Sequence, residues 1–361
     1  MVNNIDCSQD SMVEIMLEFV RASVWKRNPI INGVDIVWDK LMSMSAEQGL
    51  LSWVWDGICK LPMELQPFRQ ERINWGLSYQ EICDTYNQQK SVLNKMVKAC
   101  EKHDVKILVF KGMSFSVAYP NSSFRPAGDI DIFLFGDYNK GNAILANNNL
   151  ERENSKCSEF SYQGVKIENH RHFFPNTYKK YAVIEEYLNS KLSEVERTSD
   201  GYYVFTCLAN LVIGVVHAVT HLVNTTDPLL IRSVLDIAMI LKNDESGFTP
   251  SQCKALMTQL GIDRSFDLLV RASEWILNTD LSKYYIKEIS ITDVDSFKEL
   301  LVRRSWPIID NDGSKLEKIR QYRKRYQMMR WADQYRVCST KERLVFQFKK
   351  QMKILFQDIW S

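Results

Sequence analysis

The sequence predicts an α+β protein, in which a small mixed sheet is flanked by N-terminal and C-terminal helical regions. Three observations carry this. Apolar residues recur at three- and four-residue spacing from about 11 to 100, the pattern of helices that bury one face. At 103 the texture changes to short apolar runs with period-two alternation, the pattern of strands. From about 178 the helical spacing returns. The expected regions are therefore 1–102, 103–177 and 178–361.

Each element follows in order. The first region holds SMVEIMLEFVRASVW, VDIVWDKLMSMSAEQGLLSWVWDGICKL and a run from Phe68 to Lys102 without an internal proline. Glycine and proline gather near 28–33 and 62–67, which suits turns between helices. HDVKILVFKG then reads as a strand closed by Gly112, and MSFSVAYP as a short helix stopped by Pro120. NSSFRPAG is a loop, and DIDIFLF is a second strand with Asp129, Asp131, Phe133 and Phe135 on one face. A weakly helical stretch, 138–149, comes next. CSEFSYQGVKIENHRHFF is a hairpin turning at Gln163–Gly164, and Lys166, Glu168, His170 and His172 share one face of its second strand.

Composition narrows the class. With 45% apolar and 25% charged residues in 361, the chain has the profile of an ordinary soluble globular protein, and a net charge of +2 points to no particular partner. The most apolar stretch, 208–223, is too short to span a bilayer and carries His217 and His221, so it reads as a buried helix and not as a transmembrane segment. Eight cysteines without a C-x-x-C pair argue against zinc ribbons and thioredoxin chemistry. The opening MVNNIDCSQDSMVEIM lacks a basic-then-apolar start, so the expected setting is the cytoplasm with reduced thiols. P-loop and dinucleotide-binding glycine patterns are absent from the sequence.

Asp129 and Asp131 are the chemically informative residues. Residues i and i+2 of a strand point the same way, and two carboxylates held together repel unless a cation relieves them. Mg²⁺ or Mn²⁺ accepts such hard oxygen ligands, and Glu168 on the neighbouring strand face supplies a third acid. The plainer reading makes Asp129 a turn residue after Gly128 and pairs Asp131 with Arg125. Upstream, the Lys111–Gly112 turn opens a helix that lets an anion approach the backbone, with Ser114 adding a hydroxyl. Strand, glycine turn, helix, loop, D-x-D strand and a hairpin with a third acid are the parts that metal-assisted nucleotidyl transfer requires.

The stretch FKGMSFSVAYPNSSFRPAGDIDIFL resembles the signature of a bacterial family of uncharacterised nucleotidyltransferases (family 5), a branch of the DNA polymerase β-like superfamily. Lys111, Gly112, Tyr119, Pro120, Arg125, Pro126, Asp129 and Asp131 match its pattern. The likeness continues through IENH, giving Glu168 and His170, and through HAVTH and LLIRSVLDIAMIL, giving His217, His221, Arg232 and Asp236. It implies a nucleotidyltransferase core and an NTP donor such as ATP. Asp129, Asp131 and Glu168 would serve as catalytic metal ligands, with Glu168 also helping to deprotonate the acceptor. Lys111, Gly112, Ser114 and Arg125 would hold the triphosphate. The acceptor, whether protein, sugar, small molecule or RNA, is not named by the sequence. Lys-Gly-Met-Ser replaces the superfamily's Gly-Ser opening, and Asn169 and Arg171 stand where the family is apolar or aromatic. The departures near Glu168 sustain an alternative, an inactive nucleotide- or protein-binding module of regulatory or antitoxin-like type.

The remaining candidates line the expected cleft. His217 and His221 share a helix face, either turned to the cleft or hydrogen-bonded within the fold. Arg232 and Asp236, also four apart, read either as a surface ion pair or as a phosphate-facing arginine oriented by the acid. The tail from 315 to 361 holds thirteen Lys and Arg against four Asp and Glu, a net of +9, interleaved with aromatics. It suits nucleic acid, an anionic surface or a solvated outer helix.

Overall fold

Helical spacing in the first hundred residues becomes four helices: α1 (Gln9–Val24), α2 (Trp38–Glu47), α3 (Leu51–Ile58) and the long α4 (Arg69–Glu101). A computed structural model of the chain describes residues 9–31, 35–145, 152–153, 157–174, 179–222, 228–243, 247–303 and 326–337. Helix α4 starts where Glu71 in its first turn accepts from the Phe68 N–H at 2.9 Å.

The central elements are β1 (Leu108–Phe110), α5 (Gly112–Ser116), β2 (Ile130–Phe133), α6 (Tyr138–Leu145), β3 (Arg152–Glu153), β4 (Cys157–Tyr162) and β5 (Val165–His170). After α7 (Lys179–Ser190) come two short strands, β6 (Glu196–Arg197) and β7 (Tyr203–Val204). Helices α8 (Cys207–His221), α9 (Ile231–Lys242), α10 (Pro250–Gln259), α11 (Asp263–Leu277) and α12 (Ile291–Arg303) complete the C-terminal region. Among the described residues the strands form one mixed sheet in the order β3-β4-β5-β2-β1-β7-β6. The β2–β5 and β1–β7 pairs are parallel and the others antiparallel.

Strands β6 and β7 interrupt the helical region expected from about 178. They flank a turn at Asp200–Gly201, where Gly201 takes φ +93°, and Tyr203 pairs with Leu108 of β1. Two-residue strands leave no periodic trace in a sequence. The hairpin turn at Gln163–Gly164 is where the sequence put it, with both residues at positive φ, 51° and 79°.

The period-two reading of β2 is realised as two faces. Ile130, Ile132 and Leu134 join Val109, Val165 and Ile167 in a core against Val92, Leu93 and Met96 of α4. Each such fully buried aliphatic contributes about 1.5–3 kcal/mol. On the other face Phe110, Phe133 and Phe173 meet the larger core that also contains α1, α3, α8, α9 and α11. The strand acids open toward α8 and α9, whose residues line one cleft with them.

Helix ends are tied together over long sequence distances. Arg21 donates Nε to the Ile276 carbonyl at 3.0 Å and Nη2 to the Trp275 carbonyl at 2.7 Å, satisfying the C-terminal turn of α11. Gln48 accepts from the Ile231 N–H at 2.9 Å and donates to the Leu301 carbonyl at 2.8 Å. Of the basic tail, only 326–337 lies within the described residues. There Trp331 donates to Asp293 at 2.7 Å, and Ser265 donates to the Tyr335 carbonyl at 2.6 Å. The rest of the tail lies outside them. No helix among the described residues is long and apolar enough to cross a membrane.

Candidate active site

Parallel pairing in register sets Asp131 opposite Glu168 on neighbouring strands, with Asp129 one pleat away on the same face. These acids meet at one side of a cleft of about 370 Å³, and Lys111, Gly112, Asp129, Asp131 and Glu168 all line it.

Two ammonium groups and one imidazole contact the acids. Lys111 Nζ and His170 Nε2 each donate to Asp131 Oδ1 at 2.7 Å. Lys166 Nζ stands 2.7 Å from Glu168 Oε1 and 3.7 Å from Asp129 Oδ2, and His170 Nε2 lies 3.4 Å from Glu168 Oε2. The plainer sequence reading, Asp131 paired with Arg125, is thereby replaced. His170 Nδ1 is buried and has no hydrogen-bond partner among the described residues. Asp131, Glu168 and His170 each offer a ligand atom within 4.8 Å of the others, close enough to share a metal ion.

The acids do not titrate alike. Burial, then the charges of Asp131 and Glu168, push Asp129 up to about 6. Burial also acts to raise Asp131, but the Lys111 ammonium and the His170 hydrogen bond outweigh it and hold this carboxyl well below its usual range. The hydrogen bond from His170, against burial and with help from Lys166, draws Glu168 down to about 2.

Lys111 ends β1 and caps α5 with φ +54° and ψ −143°, a conformation that costs a non-glycine residue about 1–3 kcal/mol. Its ion pair with Asp131 helps to hold it there. Gly112 follows, and a Cβ on it would stand 3.5 Å from the Asp129 carbonyl, so the turn packs directly on the entry to β2.

Ser114 corrects an expectation. It is only 1% exposed, donates within α5 to the Lys111 carbonyl at 2.8 Å and lies 3.3 Å from Asn210 Oδ1. Its hydroxyl is turned into the fold, away from the cleft. Arg125 is likewise engaged: Nε and Nη2 reach Asp236 at 2.8 and 2.7 Å, and Nη1 donates to the Pro126 carbonyl at 3.2 Å. Tyr119 donates to the same Asp236 at 2.7 Å. Asp236 thus takes its fork-to-fork pair from Arg125, 111 residues away, and Arg232 donates to the Pro126 carbonyl at 2.9 Å.

The opposite wall comes from α8 and α9. In an otherwise apolar helix, Asn210, Gly214, His217 and His221 fall on one face, and the last three line the cleft. The rings of His217 and His221 are 4.5 Å apart. Burial, then His221 and Lys111, hold His217 well below its ordinary range, so its imidazole is neutral. Arg232 and Ser233 add polar groups from α9.

Sequence reasoning left two features out. Lys166 was visible on the acid face of β5 but received no role. Asn169, which departs from the family, is fully buried and donates to Asn142 Oδ1 at 2.6 Å, and Asn142 in turn donates to Ser158 at 2.7 Å. This buried polar chain on the far face explains how an amide fits an apolar register position.

No curated protein and no solved structure matches the chain. A family model described as uncharacterised nucleotidyltransferase matches residues 35–278, a span that takes in α2 to α11 with the whole acid face, and the chain belongs to that family.

Proposed function

We propose that the chain transfers a nucleotidyl group from an NTP to an acceptor hydroxyl or phosphate with a divalent metal ion. The observation that carries this reading is the register of β2 on β5, which sets Glu168 beside Asp131 and keeps Asp129 on the same face. The donor set fits Mg²⁺ or Mn²⁺, since it is built from carboxylates, and burial together with their mutual repulsion already raises Asp129. Asp129, Asp131 and Glu168 would hold the ion, which when bound neutralises charge on the phosphate oxygens.

The chain's own groups divide the remaining work. Lys111 and Gly112 bind the phosphates at the end of β1, and Arg232 faces them from α9. Arg125, in the cleft lining, is the clamp that fixes the loop before β2 to Asp236. His170 orients Asp131 through its hydrogen bond. In the transfer an acceptor oxygen bonds to the α-phosphorus, the bond to the pyrophosphate oxygen breaks, and pyrophosphate leaves with that electron pair. The acceptor proton passes to a cleft carboxylate.

The test is the thermal midpoint of the wild type and of Asp131→Asn with each of the four NTPs, with and without Mg²⁺. A ligand that binds only the native state must raise the midpoint. The expected result is a Mg²⁺-dependent rise with one NTP, lost in the variant, followed by label transfer from that NTP. Binding without transfer to any acceptor would move the protein to the class of nucleotide-binding modules.

A further inference from the structure

The acid face of β5 carries a lysine for which nucleotidyl transfer, as set out above, has no use. Pairing sets Ile130 opposite Ile167 and Asp131 opposite Glu168, so one step back on the same register Lys166 stands beside Asp129. Its ammonium lies 2.7 Å from Glu168 Oε1 and 3.7 Å from Asp129 Oδ2. One cation thus bridges the two acids that flank Asp131. The side chain is 47% exposed, so the two carboxylates, more than packing, set where its ammonium sits. Asp131 is served separately, by Lys111 and His170.

Two-ion transferases place both ions on the same few carboxylates, one by the attacking oxygen and one by the leaving oxygens. An ammonium fixed between Glu168 and Asp129 contributes positive charge there and repels a second dication at contact distance. We propose that Lys166 is a built-in second cation, so that this site takes one divalent ion instead of two. The inference rests on the reading of these carboxylates as metal ligands. Lys166 is also a better fit to the role than Lys111, whose backbone is held at φ +54° and whose ammonium is directed at Asp131 alone among the three acids.

Counting bound Mn²⁺ on the full chain by electron paramagnetic resonance tests this. The wild type should bind one ion per chain. Lys166→Met should take up a second, its affinity raised about tenfold or more by loss of the adjacent positive charge. Lys166→Arg, which keeps the charge, should bind one. Unchanged thermal midpoints without metal would show that the variants fold, and a role confined to strand stability would shift those midpoints and leave the count at one. Two ions of similar affinity in the wild type, or a Lys166→Met count of one, would overturn the inference and leave the metal reading standing. No Mn²⁺ bound by any of the three proteins would overturn both.

Discussion

Arg125 and Asp236 meet fork to fork in the lining of the cleft, at 2.8 and 2.7 Å, with 5% and 3% of their surfaces exposed. The pair joins the loop before β2 to α9, so it links the strand that carries the acids to the wall that faces them. Removing one partner strands a buried charge, which costs about 3–5 kcal/mol. Asp236→Ala is expected to lose that much in urea unfolding. Arg125→Met with Asp236→Leu should recover part of it, because two apolar groups leave no orphaned charge and only the Tyr119 hydroxyl loses its acceptor. A loss for Asp236→Ala below about 1 kcal/mol would class the pair with surface salt bridges.

Asp131→Asn keeps the shape of the side chain and removes its charge. With the ammonium of Lys111 and a metal ion both deprived of their ligand, nucleotidyl transfer should fall by about a hundredfold or more. Comparison of initial rates with the selected NTP, alongside circular dichroism of the variant, decides this.

The pH dependence follows from Asp129, whose carboxyl moves from 3.8 to about 6 on folding. Between these values the native chain holds a proton that the unfolded chain has lost. Stability contributed by this group therefore falls as pH rises through that window. A cation bound to the ionised carboxylate restores it and releases the proton. The Mg²⁺-induced rise in thermal midpoint should accordingly be larger at about pH 7.5 than at about pH 5. An equal rise at both would remove Asp129 from the ligand set.

Gly49 controls Arg232 from the turn between α2 and α3. It takes φ +66°, and a Cβ there would stand 3.1 Å from Arg232 Cδ and 3.3 Å from Nη1. Gly261 has the same φ, +66°, with no described atom within 4 Å of its Cβ position. Alanine at either site should cost about 1 kcal/mol of stability through backbone strain. Only Gly49→Ala should also weaken NTP binding, because only there does the methyl group displace a cleft arginine. Equal NTP affinities in the two variants would deny Arg232 its phosphate contact.

Much of the site was legible because it is written in local periods. Asp129 and Asp131 two apart, Lys166, Glu168 and His170 at alternate positions, and the Gln163–Gly164 turn each fix a face or a bend without reference to the rest of the chain. What escaped depends on distant partners. Asp236 has Arg232 four residues away, and nothing in that spacing reveals that Arg125 arrives from across the fold. Ser114 has the right chemistry for phosphate, but whether α5 turns it outward is decided by the packing of Asn210. The strands β6 and β7 exist because β1 offers an edge, which their own two residues apiece cannot announce.

Gln48 gives one side chain to two distant backbones, the first turn of α9 and the Leu301 carbonyl of α12. Arg21 does the same for the end of α11. The first helices are therefore scaffolding for the wall that holds Arg232 and Asp236, although no residue of theirs lines the cleft. A fragment trimmed to begin at β1 would keep every acid of the site and lose the splints that square the opposite wall to it. Minimal-domain design that follows the chemical motif alone would cut this protein in the wrong place.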